Sequence, residues 1–299
     1  MGRAGLVRSY THAHISALIF NNGSPTSPVH YSLQTWFAKL EQDGVSLVSA
    51  TWLRQVVNGL KNIRILDASW TMSGEGRAAF LGERLAGAQH FDIDEVSEQS
   101  SPYPHMIPSP HRFQTLVAKM GVGNGDHVVV YDGHSEGLMA SARVWWMFRL
   151  FGHERVSVLD GGLRRWKFHW FPTVSGEPHT PEATNFTASF NPHFLRNYEQ
   201  MLDNHTSRHK QVVDARSSAR FKGDVPEPRP SLPSGGMKGA VNLHYSRLLD
   251  AQWGTVKTRS LLASEFQRSE VDLTQPVVAT CGSGVTAAII ALAAHSLNT

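Results

Sequence analysis

The sequence predicts an α/β protein of two similar domains, each a parallel sheet flanked by helices. Two observations carry this. Short apolar strands alternate with helical stretches, the pattern of parallel strands joined by helical crossovers. The same landmarks also occur twice, in the same order. Residues 63–68 (IRILDA) resemble 211–216 (QVVDAR), residues 86–91 (AGAQHF) resemble 238–243 (KGAVNL), and residues 128–133 (VVVYDG) resemble 277–282 (VVATCG). The spacings from Asp67 to Asp214, Ala88 to Ala240 and Asp132 to Cys281 are 147, 152 and 149 residues. Near-equal spacings in one order indicate a duplicated domain.

The chain of 299 residues suits two such cores. It is 41% hydrophobic and 18% charged, an ordinary globular mixture, and its formal charge of +3 gives no argument for nucleic acid. No apolar run reaches the length of a membrane span; residues 14–20 are too few. A single cysteine excludes an intrachain disulfide and fits a reducing compartment. The N-terminal forty residues carry Arg3, Arg8 and Lys39 but no acid before Glu41. Basic, acid-free and rich in hydroxyls, residues 1–44 read either as a mitochondrial presequence or as a tail without an address. They lack a compact apolar stretch ending in small residues, so secretion is not expected. The glycosylation patterns at Asn185 and Asn204 therefore carry little weight. The expected location is mitochondrial, cytoplasmic or both.

Residues 45–170 form the first domain. Within it, residues 144–150 (VWWMFRL) read as a buried helix and 156–162 (VSVLDGG) as a strand entering a glycine turn. Residues 171–194, rich in Pro, Thr, Ser and Glu, read as a linker. Residues 195–299 form the second domain. The strand and helix at 156–166 have no counterpart there, because the repeat spacing carries them past Thr299. The second domain is therefore expected to lack its last strand and helix, leaving backbone groups without partners.

Cys281 stands between an apolar strand (276–280, PVVAT) and an apolar helix (287–294, AAIIALAA), in a loop punctuated by Gly282 and Gly284. Sites in such folds form at the carboxyl ends of strands. The loop amides and the positive end of the helix dipole favour a thiolate there. Read alone, Cys281 is equally a small buried residue at a strand end. In the first domain its place is taken by Asp132, which has no thiol chemistry, so only the second domain can hold a nucleophile. His205 and His209 have i, i+4 spacing, but no acidic or cysteine ligand completes a metal set, and a solvated face is the simpler reading.

The loop Cys281–Gly282–Ser283–Gly284–Val285–Thr286 resembles that of the tandem-domain rhodanese-type sulfurtransferases, and within them the 3-mercaptopyruvate branch. The resemblance runs over residues 45–294. Supporting matches are residues 66–70 (LDASW), 91–94 (FDID), 101–106 (SPYPHM) and 144–148 (VWWMF). It implies sulfur transfer from 3-mercaptopyruvate through a Cys281 persulfide to thioredoxin or a small-molecule thiol, with release of pyruvate and no cofactor or metal. Covalent catalysis of this kind gives two-step, ping-pong kinetics. It further implies that Arg220 and Arg229 bind the substrate together with Gly282, Gly284, Val285 and Thr286. Guanidinium forks suit carboxylate and keto oxygens. Asp94, His105 and Ser283 match a proton relay, with Asp94 orienting the imidazole and His105 accepting the serine proton. The relay joins the two domains, so the cleft is expected between them.

Thiosulfate-using relatives carry basic residues where this chain has Gly282 and Ser283, which argues against thiosulfate as the donor. A third reading is an inactive truncated isoform acting as a binding protein. A cysteine phosphatase fits poorly, since no arginine follows Cys281. At residues 84–86 (RLA) and 236–238 (GMK) the chain departs from a His-Ile-Pro type sequence, which bears on packing rather than chemistry.

Overall fold

The computed structural model describes residues 17–20 and 45–297, apart from 58, 61, 136, 230 and 231. The strands, in chain order, are β1 (Ala17–Phe20), β2 (Leu47–Val48), β3 (Ile63–Asp67), β4 (Gln89–His90), β5 (His127–Tyr131), β6 (Val156–Leu159), β7 (Leu195–Arg196), β8 (Gln211–Asp214), β9 (Val241–Asn242) and β10 (Val277–Thr280). The helices are α1 (Ala50–Val56), α2 (Gly76–Gly82), α3 (Ile93–Val96), α4 (Pro110–Lys119), α5 (Ala140–Leu150), α6 (Gly162–Phe168), α7 (Tyr198–Ser207), α8 (Ser218–Lys222), α9 (Arg259–Arg268) and α10 (Val285–Ser296).

The first sheet has the order β2-β6-β5-β3-β4, and all its pairings are parallel. The second has the order β7-β1-β10-β8-β9. There β8, β9 and β10 pair in parallel, while β1 runs antiparallel to both β10 and β7. The position that β6 fills in the first sheet is thus filled in the second by β1, in the opposite direction. This corrects the parallel-sheet expectation at one strand. It also draws residues 17–20 out of the segment read as a presequence or tail; the rest of residues 1–44 lies outside the described residues. Backbone hydrogen bonding explains the exchange, because a four-residue apolar segment of either polarity can pair with β10 and satisfy its exposed edge.

Residues 171–194 have little regular structure but lie against the first half. Thr184 donates its amide to the Ala118 carbonyl at 3.0 Å, and Ser189 donates to Phe151 at 2.9 Å. Phe186 packs edge-on against Phe113 at 5.9 Å between ring centroids.

The halves share one core. In α5 every residue except Arg149 is buried, and α10 is buried from Ala287 through Ala294. Helices apolar on all sides require cover on all sides. These two pack against each other between the sheets, in one cluster that draws residues from both halves. A second contact lies at the domain rim, where Asp160 accepts the Val256 amide at 2.7 Å. There Gly137, at φ 96°, meets the backbone of Gly254 so closely that an added Cβ would sit 2.2 Å from the Gly254 oxygen. Gly137→Ala is therefore expected to destabilise the protein by about 2–4 kcal/mol, through a positive φ and a backbone clash. A urea midpoint equal to that of the parent chain would overturn this.

Candidate active site

Cys281 follows β10 directly, and its Sγ accepts the Gly284 amide at 3.1 Å. Gly284 is left-handed (φ 80°) and caps the N-terminus of α10, so the thiol faces the positive end of a twelve-residue helix. The first half shows what this loop geometry holds. Asp132 occupies the corresponding place after β5. Its carboxylate accepts amides from His134 at 3.2 Å, Met139 at 2.9 Å and Ser141 at 2.9 Å. One copy of the loop is thus filled by a built-in anion. The other presents a sulfur that can become one.

Asp94, His105 and Ser283 come together as the resemblance implies. His105 Nε2 lies 2.9 Å from Asp94 Oδ1, and its Nδ1 lies 3.0 Å from Ser283 Oγ. With the imidazole neutral and its proton on Nε2, Asp94 accepts that proton's hydrogen bond and Nδ1 accepts from the serine hydroxyl. His105 is 2% exposed and has φ 58°, unusual for a side-chain-bearing residue. Burial pushes its imidazole down to about 4; Arg143 and Arg229 add to this and Asp94 opposes it.

Arg220 sits on α8, whose cap is the Ser217 hydroxyl. Its Nε donates to Glu227 Oε1 at 3.1 Å, and its Nη2 donates to Glu227 Oε2. Arg216 reaches the same carboxylate through Nη1 at 2.9 Å. Burial alone would raise the Glu227 carboxyl, but hydrogen bonds and charge from Arg220 and Arg216 win and hold it below the usual range. Arg229, in the loop after α8, has no carboxylate partner among the described residues. Both guanidiniums press on the cysteine loop. A Cβ built on Gly282 would lie 3.3 Å from Arg220 Nη2 and 3.9 Å from Arg229 Nη1. An uncompensated cation beside an exposed glycine suits a small anion.

The remaining loop residues divide. Gly282 is exposed and Thr286 half-buried, whereas the Val285 side chain is 4% exposed and belongs to the core, so only its backbone can serve the loop. His209 lies beyond the end of α7 and does not share a helix face with His205. Sequence reasoning missed Trp70, whose Nε1 donates to Asp94 Oδ2 at 2.6 Å and whose ring packs edge-on against His105. It also missed Glu227 and Arg143. The available signal for Arg143 was its place as one of two arginines, with Arg149, inside a mostly apolar helical run.

Three further histidines share the depressed state of His105: His127, His153 and His295, each lowered chiefly by burial. Burial, reinforced by Arg155, holds His127 at about 4, and burial with Arg149 holds His295 at about 3. Unfolded imidazoles bind protons near pH 6.5. Below that value the unfolded chain therefore holds more protons than the folded one. The stability tied to neutral burial is complete above pH ~6.5 and drains as pH falls towards 4. The expected loss between pH 7 and 5 is on the order of a few kcal/mol, read as a fall in urea midpoint. A flat midpoint over that interval would contradict it.

The rhodanese-like domain profile matches residues 49–169. The chain is 43% identical to 3-mercaptopyruvate sulfurtransferase from Homo sapiens over 84% of its own length and 86% of the relative's. It is 44% identical to thiosulfate sulfurtransferase from Bos taurus over the same shares of 84% and 86%. The crystal structure of SseA from Escherichia coli superposes with a TM-score of 0.75 and 33% identity, covering 84% of this chain and 94% of that one. A thiol between a strand and a helix N-terminus, at the junction of two rhodanese-fold halves, is the setting of a sulfurtransferase. The chain belongs to the rhodanese-type sulfurtransferase family. Its function is sulfur transfer from a sulfur donor to a thiol acceptor.

Proposed function

We propose that the donor is 3-mercaptopyruvate, with Cys281 as the nucleophile. The observation that carries this is the crowding of Arg220 and Arg229 against Gly282. A basic side chain at position 282 would stand beside two guanidiniums. With glycine there, the loop supplies no cation of its own, and the arginines are left to bind a carboxylate and keto group at the cleft rim.

In this reading the Cys281 thiolate attacks the thiol sulfur of the donor. An S–S bond forms, the donor's C–S bond breaks, and pyruvate leaves as its enolate. The donor's thiol proton passes to Ser283 as the serine proton moves to His105, and the relay then returns a proton to the enolate carbon. The loop amides stabilise the anionic persulfide. An acceptor thiol attacks the outer sulfur, regenerates the Cys281 thiolate and leaves as a persulfide; a second thiol releases sulfide from it. Thioredoxin and small-molecule thiols are the acceptors by this chemistry. The sole cysteine and the acid-free N-terminal segment support a reducing mitochondrial or cytoplasmic location, which fractionation of tagged protein would test.

The test is turnover with each donor in excess thiol. Pyruvate release from 3-mercaptopyruvate is expected to exceed sulfur transfer from thiosulfate by at least ~10-fold in kcat/KM, since one lost charge-assisted contact is worth about that much. Equal or reversed preference would favour the thiosulfate reading. No turnover from either donor with cooperatively folded protein would favour an inactive binding protein.

A further inference from the structure

Arg143 lies on α5 and is 1% exposed. Burying a guanidinium without a carboxylate is costly, yet among the described residues none pairs with it. Its Nη2 donates to the carbonyl of His105 at 2.7 Å, and its Nη1 donates to the carbonyl of Gly284 at 3.3 Å. Its Nε has no hydrogen-bond partner. The guanidinium carbon stands 4.8 Å from the centroid of the Trp146 ring. Burial lowers the guanidinium to about 10, and the opposing influence is the charge of Cys281.

The two carbonyls are not arbitrary. His105 belongs to the first half and holds a positive φ, which needs external support. Gly284 belongs to the second half, caps α10, and donates its own amide to Cys281. One side chain therefore grips the residue bearing the imidazole and the residue cradling the sulfur. A planar fork with donors at fixed separation can hold both; an ammonium cannot hold the same pair in the same geometry.

We propose that Arg143 is a positioning residue that locks the His105–Ser283 hydrogen bond across the two halves of the protein. The proposal rests on the proton relay described above. The same charge also tunes the imidazole. The groups facing His105 are Asp94 on α3, Ser283 in the cysteine loop, Arg143 on α5, Arg229 in the loop after α8, and the edge of Trp70. Burial is the main cause of its depression and Arg143 the next. Removing Arg143 therefore raises the imidazole and moves the acid limb of the pH profile upward.

The test is a double-mutant cycle of Arg143→Met with Ser283→Ala, reading single-turnover persulfide formation against pH, with KM and thermal midpoint. Arg143→Met is expected to slow sulfur transfer by about 10–100-fold, the cost of a misplaced catalytic group. KM should stay within about two-fold, because the substrate arginines are untouched. The acid limb should move up, and most of the rate loss should vanish in the Ser283→Ala background. Arg143→Lys, which keeps the charge but not the fork, should leave the acid limb in place and recover only part of the rate. If Arg143→Met does not fold, Arg143→Lys carries the cycle, with the same non-additivity required. Equal slowing in both backgrounds would overturn the proposal and leave Arg143 a packing residue. A Ser283→Ala variant as fast as the parent chain would instead sink the relay itself, and the role of Arg143 with it.

Discussion

Cys281→Ser is expected to abolish turnover, with a fall on the order of 10⁴-fold or more, the scale seen when a nucleophile is removed from an acting group. The argument is chemical. A serine oxygen fits the same loop and can accept the Gly284 amide as the sulfur does at 3.1 Å. It cannot form a persulfide. Stability should hardly change, because Cys281 is half-buried at the rim and its partner is a single backbone amide. Mass spectrometry after one donor addition supplies the direct readout: the parent chain gains one sulfur atom and the variant gains none. A variant that retains turnover would move the nucleophile elsewhere, and no other cysteine exists in the chain.

The second large effect concerns the two arginines, which should separate binding from stability. Arg229→Met removes a guanidinium with no carboxylate partner among the described residues, beside the cysteine loop at Gly282. Its expected signature is a rise in KM of about 10–100-fold, one charge-assisted contact, with the thermal midpoint unchanged. Arg220→Met removes a guanidinium that already holds Glu227 along its Nε–Nη2 edge. It should raise KM by a similar factor and also lower the midpoint, because the buried Glu227 carboxylate is left to Arg216 alone. The double variant should lose roughly 10³-fold in kcat/KM if the contacts add. A KM unchanged in Arg229→Met would remove that residue from the substrate site.

The legibility of this site in the sequence follows the distance between its parts. The cysteine loop was readable because strand, glycine turn and helix fall within a few consecutive residues, and local geometry brings the Gly284 amide to the sulfur. The Asp94–His105–Ser283 contact was not readable from spacing, since His105 and Ser283 stand 178 residues apart and meet only when the halves pack. It came from resemblance to a family. Glu227 was hidden because a carboxylate in a proline-rich loop looks solvated, and only two converging guanidiniums make it a buried hinge pin. Trp70 and Arg143 were hidden as well. Their polar atoms are aimed at partners remote in sequence, Trp70 at Asp94 and Arg143 at Gly284, which no local pattern announces. The alternation of strands and helices carried the first sheet throughout. It failed in the second at β1, whose apolar character is brief and whose partners, β7 and β10, lie in the second half.

That last pairing sets an order of events on the ribosome. The strands of the first sheet span residues 47 to 159, so that half can close while the rest of the chain is still being made. The second sheet joins Leu18 to Ala279, so a strand that precedes the whole first sheet pairs with one that follows it by more than a hundred residues. Its central pairing must wait for the residues up to Thr280 and pay the entropy of a very long loop. During that wait the early segment must stay extended and uncommitted, open to capture by chaperones or by another chain's β10. The setting of the Cys281 thiol, directly after β10, is therefore completed later than the first sheet, once β1 and β10 have met.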